Sequence, residues 1–341
     1  MSNFRTILVT GGAGYVGAVL VPKLLKKGYR VKVIDLYTYG EDVFDEIEDK
    51  SNLEEIKGDI CDKSLLKKAL AGCDVVIHLA CISNDPTFDL DPALSRKVNY
   101  ECFEPLVQIS RDSGVKRFIY ASTCSVYGIS DAPEVTEDHP FLPITDYNKY
   151  KGLCEPILLK YQAGDFTTCI IRPATVCGFS PRQRFDLSVN ILTNYAYNNN
   201  KIMVFGGKQE RPNIHIEDIT DLYVMLLDMP KERIAGQAYN VGYQNRSISD
   251  IADIVKRIVE EKCPEKKIAI ETTPSDDIRS YRISSEKIKR ELNFVPRHTI
   301  EDAVRDLIKA FQANKFEDPL NNIRYYNIKM LKTQPLISGV S

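Results

Sequence analysis

The chain of 341 residues is long enough for one large domain, or for one domain with a smaller lobe. Its 43% hydrophobic and 27% charged residues are typical of a globular protein, and the net charge of −2 gives no electrostatic case for nucleic-acid or membrane binding. No apolar run approaches the ~20 residues of a membrane span, and four scattered histidines argue against a metal site.

The first motif, Thr-Ile-Leu-Val-Thr-Gly-Gly-Ala-Gly-Tyr-Val-Gly, occupies residues 6–17. A short β run leads into Gly11, Gly14 and Gly17, and an apolar helical run follows. Such glycines allow a tight turn, a close approach to a pyrophosphate and close packing of helix on strand, with the helix N-terminus facing the anion. The pattern predicts a dinucleotide-binding turn.

A second predicted strand, 31–34, ends at Asp35, about 20 residues past the glycines as ribose recognition requires. The alternative is a structural glycine turn followed by an ordinary surface aspartate. A carboxylate at this position repels a 2′-phosphate, no Arg or Lys lies within the glycine loop, and Arg30 is expected to face solvent. The sequence therefore favours NAD over NADP.

Strands and helices continue to alternate through the first half of the chain. The predicted strands are 53–57, 74–80, 117–121 and 166–171, and the predicted helices are 63–71, 93–113 and 147–161. This alternation predicts an α/β fold, a doubly wound parallel sheet of the Rossmann type, with an NAD-binding domain over residues 1–175.

Beyond that domain the pattern is less regular, with short strands interleaved with helices. The predicted strands are 202–205, 213–216, 238–241 and 268–271, and the predicted helices are 217–227, 248–260 and 300–311. We expect a smaller C-terminal α/β substrate lobe, mainly residues 176–314, with some later segments returning to the first domain. Residues 315–341 show little periodicity and predict a tail that forms an arm or is partly disordered.

Nine cysteines occur without any C-x-x-C pair. Cys73, Cys81 and Cys169 fall in or beside predicted strands and helices, where reduced, buried thiols are expected. The N-terminus enters the first strand without a signal-peptide pattern. These features predict a cytoplasmic protein.

Tyr147 and Lys151 lie four residues apart at the start of a predicted helix and therefore share one face. A free tyrosine has a pKa of ~10, so a phenolic general base at neutral pH needs a substantially lower pKa. A fixed ammonium and a positive nicotinamide ring both favour the phenolate. The spacing therefore suits a tyrosine base assisted by a lysine.

The same spacing recurs at Tyr197/Lys201 and Tyr325/Lys329, so the pattern alone is weak and each pair has a structural alternative. Position distinguishes the first pair, because it follows a strand that ends at Thr123. At the carboxyl edge of the sheet, the Thr123 hydroxyl is placed to hydrogen-bond the same substrate oxygen as the tyrosine.

Several further motifs occur together in order. They are Thr-Gly-Gly-Ala-Gly-Tyr-Val-Gly (10–17), Gly-Asp-Ile (58–60), His-Leu-Ala (78–80), Val-Asn (98–99), Ser-Thr-Cys-Ser-Val-Tyr-Gly (122–128), Tyr-x-x-x-Lys (147–151) and Arg-Pro-Ala-Thr (172–175). By this combination, residues 5–312 resemble an extended short-chain dehydrogenase/reductase of the nucleotide-sugar epimerase/dehydratase family.

The resemblance implies an NAD site and a catalytic set of Thr123, Tyr147 and Lys151. The implied cofactor-binding residues are Gly11, Gly14, Tyr15, Val16, Gly17, Asp35, Asp59, Ile60, Ala80, Asn99, Tyr147, Lys151 and Pro173. Asp59 and Ile60 would contact adenine, and Asn99 and Lys151 would hold the nicotinamide ribose. Without the resemblance, Asp59 reads as a turn residue and Asn99 as a satisfied polar residue in a helix.

The resemblance also implies a nucleotide-diphosphate sugar as substrate. Its implied contacts are Thr123, Thr175, Arg184, Arg211 and Arg279. Arg211 and Arg279 match diphosphate-binding positions, for which a guanidinium is suited by its paired hydrogen bonds, although an exposed surface arginine is the alternative for each. Arg184 belongs to a segment, 180–186, that would enclose the sugar nucleotide; its arginines either contact phosphate or face water.

Two departures from the family pattern bear on the reaction. Related 4,6-dehydratases carry an acidic pair or a glutamate directly after the catalytic threonine, where this chain has Cys124 and Ser125. The dehydratase and decarboxylase interpretations are therefore disfavoured. Thr175 stands where many relatives have a substrate-contacting asparagine, which leaves the sugar and its orientation open.

The most specific hypothesis from the sequence is a nucleotide-sugar 4-epimerase that uses tightly held NAD. The alternatives are a C4 dehydrogenase or ketoreductase with exchangeable cofactor, a 4,6-dehydratase, or a non-catalytic NAD-binding sensor. By resemblance, helices near 99–113 and 147–161 would pair across a homodimer. No nucleic acid or membrane partner is expected.

Overall fold

The computed structural model describes residues 4–83, 85–275 and 280–333. The strands are β1 (Thr6–Thr10), β2 (Arg30–Asp35), β3 (Leu53–Lys57), β4 (Val75–His78), β5 (Arg117–Ala121), β6 (Thr167–Pro173), β7 (Thr175–Cys177), β8 (Lys201–Phe205), β9 (Glu210–His215), β10 (Gln237–Val241), β11 (Gln244–Ser247) and β12 (Ala269–Thr273). The helices are α1 (Gly17–Lys26), α2 (Lys63–Leu70), α3 (Asp85–Phe88), α4 (Pro92–Arg96), α5 (Phe103–Asp112), α6 (Asp146–Lys160), α7 (Ser188–Asn199), α8 (Ile216–Asp228), α9 (Lys231–Ile234), α10 (Ile248–Lys262), α11 (Glu286–Leu292), α12 (Ile300–Gln312) and α13 (Asn327–Thr333).

Seven strands form one parallel sheet in the order β10-β6-β5-β4-β1-β2-β3. The predicted doubly wound parallel sheet is therefore confirmed. The chain runs outward from β1 in one direction and from β4 in the other, so the strand order reverses between these two neighbours. In such sheets ligands bind outside the carboxyl ends of the strands at this point.

Helices cover both faces of the sheet, as parallel strands buried on both faces require. On one face, α1 and α8 bury side chains such as Leu20 and Leu222 in a common core. On the other face, α2, α5 and α6 contribute side chains such as Leu66, Leu106 and Leu158 to a second core. The carboxyl ends of the strands, where a ligand is expected, are thus held in place by helices packed on both faces of the sheet.

The remaining strands belong to two small sheets, β11-β9-β7 and β12-β8. A third core lies among α7, α10 and α12. The sequence did not predict α7, because polar residues occupy its buried face: Asn190, Thr193 and Asn194 are fully buried. Their side chains form hydrogen bonds inside the protein. Because these buried positions are polar, the sequence does not show the regular spacing of apolar residues that would indicate a helix.

The predicted continuous helix 93–113 was wrong in its middle. The structure has α4, then a π-helical turn at Lys97–Glu101, then α5. Asn99 lies within the π-helical turn, and its side-chain amide forms hydrogen bonds with both the N–H and the carbonyl of Ile82. Local π-helical turns often mark functional positions, and apolar periodicity does not detect them.

Residues 315–333 do not form the expected arm. They contain a 3₁₀ turn, Ile323–Tyr325, and α13, and both Tyr325 and Tyr326 are buried against Phe185. Residues 334–341 lie outside the described part of the chain. The packed part of the tail joins the second lobe to the loop after β2.

Cys61 and Cys102 form a disulfide, which the sequence did not predict. The two residues are 41 positions apart, and no sequence pattern links them. Cys73 and Cys169 are free and buried as predicted, whereas Cys81 is free but only half-buried. Among the described residues, no helix is long and apolar enough to cross a membrane.

Candidate active site

A cavity of about 790 Å³ opens at the carboxyl ends of the sheet strands. Its walls include the glycine loop after β1, Asp35 at the end of β2, Ala80 after β4, Ala121 at the end of β5 and Pro173 at the end of β6. The loop after β7 and helix α7 supply much of the remaining wall, on the side of the predicted second lobe. This size and position suit a dinucleotide together with a second ligand.

The backbone at Gly11 and at Gly17 has no room for a side chain. Gly11 has φ +70°, and a Cβ there would lie 2.6 Å from Ala80 Cα. A Cβ on Gly17, where α1 begins, would lie 2.3 Å from the carbonyl oxygen of Gly12, and one on Gly14 would lie 3.1 Å from that of Gly11. The loop therefore leaves a backbone-lined cradle at a helix N-terminus, which fits the pyrophosphate of NAD.

Asp35 joins the glycine loop to the end of β2. Its two carboxylate oxygens accept hydrogen bonds from the backbone N–H groups of Ala13 (3.0 Å) and Tyr37 (2.9 Å). Burial raises its pKa, and these hydrogen bonds oppose that effect. Arg30 is exposed, as expected. Asp35 lines the cavity, and its contact with the adenosine ribose stays a prediction.

Most of the other predicted cofactor-binding residues also line the cavity: Tyr15, Val16, Asp59, Ile60, Ala80, Tyr147, Lys151 and Pro173. Asp59 also stabilises a turn, because its carboxylate accepts a hydrogen bond from the Cys61 N–H (2.8 Å). Tyr15 points its hydroxyl towards the second lobe, donating to the Gly178 carbonyl (2.7 Å) and accepting from Asn190 Nδ2 (3.0 Å).

Asn99 lies behind the cavity wall rather than on it. Its Oδ1 accepts from the Ile82 N–H (2.8 Å) and its Nδ2 donates to the Ile82 carbonyl (2.9 Å). The amide therefore fixes the backbone of residue 82, which does line the cavity. Direct contact between Asn99 and the nicotinamide ribose stays a prediction.

Tyr147 and Lys151 both face the cavity from the first turns of α6. Thr145 caps this helix by accepting a hydrogen bond from the Asn148 N–H (3.3 Å). Lys151 is 3% exposed; its Nζ donates to the Ala121 carbonyl and lies 4.5 Å from the ring centre of Tyr120. The ammonium of Lys151 is thus held at the end of β5, one helical turn from Tyr147.

Burial holds the pKa of Tyr147 well above that of a free tyrosine. Cys81 and Asp85 act in the same direction, and Arg184 opposes them. The expected lowering of this pKa by Lys151 is therefore outweighed among the protein's own groups. A bound positive nicotinamide ring would favour the phenolate and so oppose this effect.

Thr123 lies on the loop after β5 and lines the same cavity as Tyr147. Its Oγ1 accepts from the Ser125 N–H (3.1 Å) and lies 2.9 Å from Ser125 Oγ. Ser125 in turn donates to Oδ1 of Asn148, the residue after the tyrosine. Ser125 and Asn148 line the cavity, and the sequence did not single out Asn148.

The position after Thr123 does not present an acid to the cavity. Cys124 is fully buried, its Sγ donates to the Arg172 carbonyl (2.8 Å), and burial raises its pKa. The carboxylates that line the cavity in the described part of the chain are Asp35, Asp59, Asp85 and Asp186. Asp85 accepts a hydrogen bond from Thr145 Oγ1 (2.6 Å).

The predicted substrate-binding side chains lie on the second-lobe side. Arg184 is buried; its Nε pairs with Asp186 (2.8 Å) and its Nη1 donates to Ser83 Oγ (3.1 Å). Thr175 and Arg211 line the cavity, and Arg211 Nη1 also donates to a backbone carbonyl. Arg279 lies outside the described residues.

The other two Tyr-x-x-x-Lys pairs have structural roles. The Tyr197 ring stacks on Phe311 with 4.8 Å between ring centres, and Tyr325 packs against Phe185 at 5.4 Å. Position at the sheet edge, rather than the spacing, therefore distinguishes Tyr147 and Lys151, which line the cavity, and their catalytic role stays a prediction. Within residues 4–83, 85–275 and 280–333, no cluster of three or more His, Cys, Asp or Glu is placed to hold a metal ion.

Comparison with known proteins agrees with this geometry. Residues 7–242 match the model of the NAD dependent epimerase/dehydratase family. UDP-arabinose 4-epimerase 1 of Arabidopsis thaliana is 28% identical over 329 residues, covering 86% of this chain and 76% of that protein. The dTDP-D-glucose 4,6-dehydratase of Homo sapiens is 26% identical over 324 residues, covering 91% of each.

Among solved structures, the UDP-glucuronic acid 4-epimerase of Bacillus cereus, in complex with UDP-glucuronic acid and NAD, superposes with a TM-score of 0.80. It is 27% identical to this chain and covers 91% of it and 100% of its own chain. The family match spans more than half of the sequence. This chain therefore belongs to the NAD-dependent epimerase/dehydratase family, and its cofactor is NAD.

Proposed function

We propose that this enzyme is a nucleotide-sugar 4-epimerase that keeps NAD bound through turnover. The observation that carries the proposal is the convergence of Thr123, Tyr147 and Lys151 on one cavity wall, with Ser125 where a dehydratase would place a carboxylate. Similarity to proteins named 4-epimerases supports it. Because the chain is also similar to a 4,6-dehydratase, dehydration is the main alternative to epimerisation.

Each catalytic side chain has a distinct task in this proposal. Tyr147 removes the proton of the C4 hydroxyl and later returns a proton to the C4 oxygen. Thr123 hydrogen-bonds the same oxygen, and Lys151 favours the phenolate and holds the nicotinamide ribose. Bound NAD supplies the acceptor for the C4 hydride and, once the other face of the ketone is presented, its donor. The sugar is therefore neither oxidised nor reduced overall.

The diphosphate of the substrate is assigned to the second-lobe arginines. Arg184 is buried and its Nη2 has no hydrogen-bond partner among the described residues, so it has a donor free for an anion. Arg211 and Thr175 line the same cavity. Arg279 completes the proposed set from the sequence alone.

A panel of UDP-, GDP-, dTDP- and CDP-sugars tests the proposal, with product NMR and NADH absorbance followed together. We expect C4 epimerisation without net NADH, and NAD that stays with the protein through gel filtration. Stoichiometric NADH formation would identify a C4 dehydrogenase. A 4-keto-6-deoxy product would identify a dehydratase, and binding without turnover of any sugar nucleotide would identify a sensor.

We further propose a homodimer formed through α5 and α6. Leu153 and Leu159 of α6 are 40% and 39% exposed, which is consistent with a helix face that a second copy covers. Light scattering at micromolar concentration tests this, and a monomeric mass would contradict it.

We also propose a cytoplasmic location; seven of the nine cysteines are free thiols.

A further inference from the structure

The C-terminal segment 315–333 ties two loops of the cavity together. Lys315 pairs with Glu46 and Arg324 with Asp42, each at 2.6 Å, so the segment is attached to the loop after β2. Its tyrosines pack on Phe185 of the loop after β7. The family match ends at residue 242, so this segment lies outside the matched region.

Asn327 is the residue of this segment that reaches the cavity wall. It is 3% exposed; its Oδ1 accepts from Arg182 Nη2 (2.5 Å) and its Nδ2 donates to Ser83 Oγ (3.0 Å). Its backbone N–H donates to Asp186 (3.1 Å). One side chain from the tail thus positions a guanidinium in the loop after β7.

Arg182 is itself a buried cation with unused donors. It is 4% exposed, and its guanidinium lies 3.8 Å from the ring centre of Tyr39. Its Nε and Nη1 have no hydrogen-bond partner in the part of the chain that the structure describes. Burial lowers its pKa to about 10, so it is still charged at neutral pH. A buried charge with unpaired donors is costly unless an anion completes the site.

The surroundings of Arg182 belong to the dinucleotide end of the cavity. Tyr39 lies on the loop after β2, and both Tyr39 and Asp35 line the cavity. Two residues before Arg182, Ser180 Oγ donates to the carbonyl of Tyr15 in the glycine loop (2.8 Å). The guanidinium is therefore fixed next to the elements that cradle NAD.

We propose that Arg182, held by Asn327 and Tyr39, is the cation of a diphosphate-binding subsite that takes the pyrophosphate of NAD, and that segment 315–333 is a strap keeping it in place. The diphosphate of a sugar nucleotide has the same chemistry. The contact of Arg182 with Tyr39, and the hydrogen bond from Ser180 to the glycine loop, favour NAD as its source. The inference rests on the family's cofactor and does not depend on which sugar is converted.

Calorimetric titration of NAD and, separately, UDP into the NAD-stripped full-length protein tests the proposal. Arg182→Met keeps the side-chain volume but removes the charge, and we expect the Kd for NAD to rise about 10- to 100-fold. The Kd for UDP should change less than about twofold. Asn327→Leu should raise the Kd for NAD by a smaller factor. Arg290→Met, at an exposed arginine with a 69% exposed side chain, is the control and should change neither.

A raised Kd for UDP with an unchanged Kd for NAD would overturn the assignment to NAD, and so would unchanged values for both ligands. Circular dichroism and thermal melting check that the variants are folded. If Arg182→Met does not fold, Arg182→Lys keeps the charge but loses the planar fork; a rise in the Kd for NAD is then required of Arg182→Lys and, by a smaller factor, of Asn327→Leu. Both titrations omit the sugar, so failure of the proposed epimerase reaction would leave this result unaffected.

Discussion

Arg172 and Glu155 form a buried ion pair beneath the loop that carries Thr123. The Arg172 Nη2 and Glu155 Oε2 atoms lie 2.6 Å apart, and the two side chains are 7% and 4% exposed. Ser122 donates to the same carboxylate (2.6 Å), and Arg172 donates to the Tyr127 hydroxyl (2.5 Å). The pair therefore anchors both ends of the segment that holds Thr123, the proposed catalytic threonine.

Replacing Glu155 by Gln should destabilise the protein strongly, because it leaves the Arg172 guanidinium buried without its counter-charge. We expect a loss of about 3–5 kcal/mol in the free energy of unfolding, measured by urea denaturation. Glu286→Gln removes an exposed carboxylate whose pair with Lys289 is solvated, and should change stability by less than about 0.5 kcal/mol. Equal effects of the two substitutions would contradict a stabilising role for the buried pair.

Replacing Tyr147 by Phe should lower turnover by about 10²–10⁴-fold, since it removes the proposed general base while preserving the ring. NAD and substrate should still bind with nearly unchanged affinity, as measured by calorimetry. Tyr197→Phe is the matched control: its ring stacks on Phe311 and its spacing to a lysine is the same. Near-normal turnover of the Tyr147 variant would exclude this residue as the base.

The pH dependence of kcat/KM should rise with pH over the range in which Tyr147 loses its proton, because burial holds its pKa high. Lys151→Met removes a cation that favours the phenolate, so the rise should move to higher pH. The same variant should retain less NAD through gel filtration. Lys149→Met, with a 54% exposed side chain on the same helix, should leave the profile in place. A shift to lower pH in the Lys151 variant would contradict the assigned role.

His78 should make the protein less stable in acid. Burial lowers its pKa to about 3, and its Nδ1 is 2.7 Å from Thr10 Oγ1. An unfolded histidine has a pKa of ~6.5, so below that value the unfolded chain binds a proton that the native protein rejects. The contribution of neutral His78 is thus complete above ~6.5 and is lost as the pH falls towards 3, by up to about 1.4 kcal/mol per pH unit.

Urea denaturation of His78→Asn between pH 7 and 4 measures this contribution against the parent protein. Asn keeps a polar partner for Thr10 but does not titrate, so the variant should lose less stability on acidification. His139→Asn, at a half-buried imidazole on a loop, is the control. Identical slopes for His78→Asn and the parent protein would show that His78 already binds a proton in the native state.

The parts of the site that depend on local spacing were predictable. The glycines of the loop, Asp35 at the end of β2 and the Tyr147–Lys151 pair follow from strand-to-helix order and helical periodicity. Asp59 is both a cavity residue and a turn residue, so its two interpretations were not exclusive. Such residues are recognised because their neighbours in sequence are also their neighbours in space.

The parts that depend on distant pairings were not predictable. Arg182 and Asn327 are 145 positions apart, and the Cys61–Cys102 disulfide joins residues with no shared motif. The cavity-lining role of Asn148 was hidden beside the stronger tyrosine pattern. The sequence of the tail showed no helical periodicity, because its aromatic residues pack individually against the loop after β7. It was therefore predicted to be an arm or partly disordered.

The hydrogen bonds of Tyr15 join the two lobes through a single buried hydroxyl. The phenol belongs to the glycine loop after β1, whereas Gly178 follows β7 and Asn190 lies on α7, on the side where the proposal places the sugar nucleotide. A ligand that orders either side therefore orders part of the other in advance. By thermodynamic linkage, the factor by which NAD tightens sugar-nucleotide binding must equal the factor by which the sugar nucleotide tightens NAD binding. This reciprocity would make the enzyme hold its cofactor most firmly while a substrate is present.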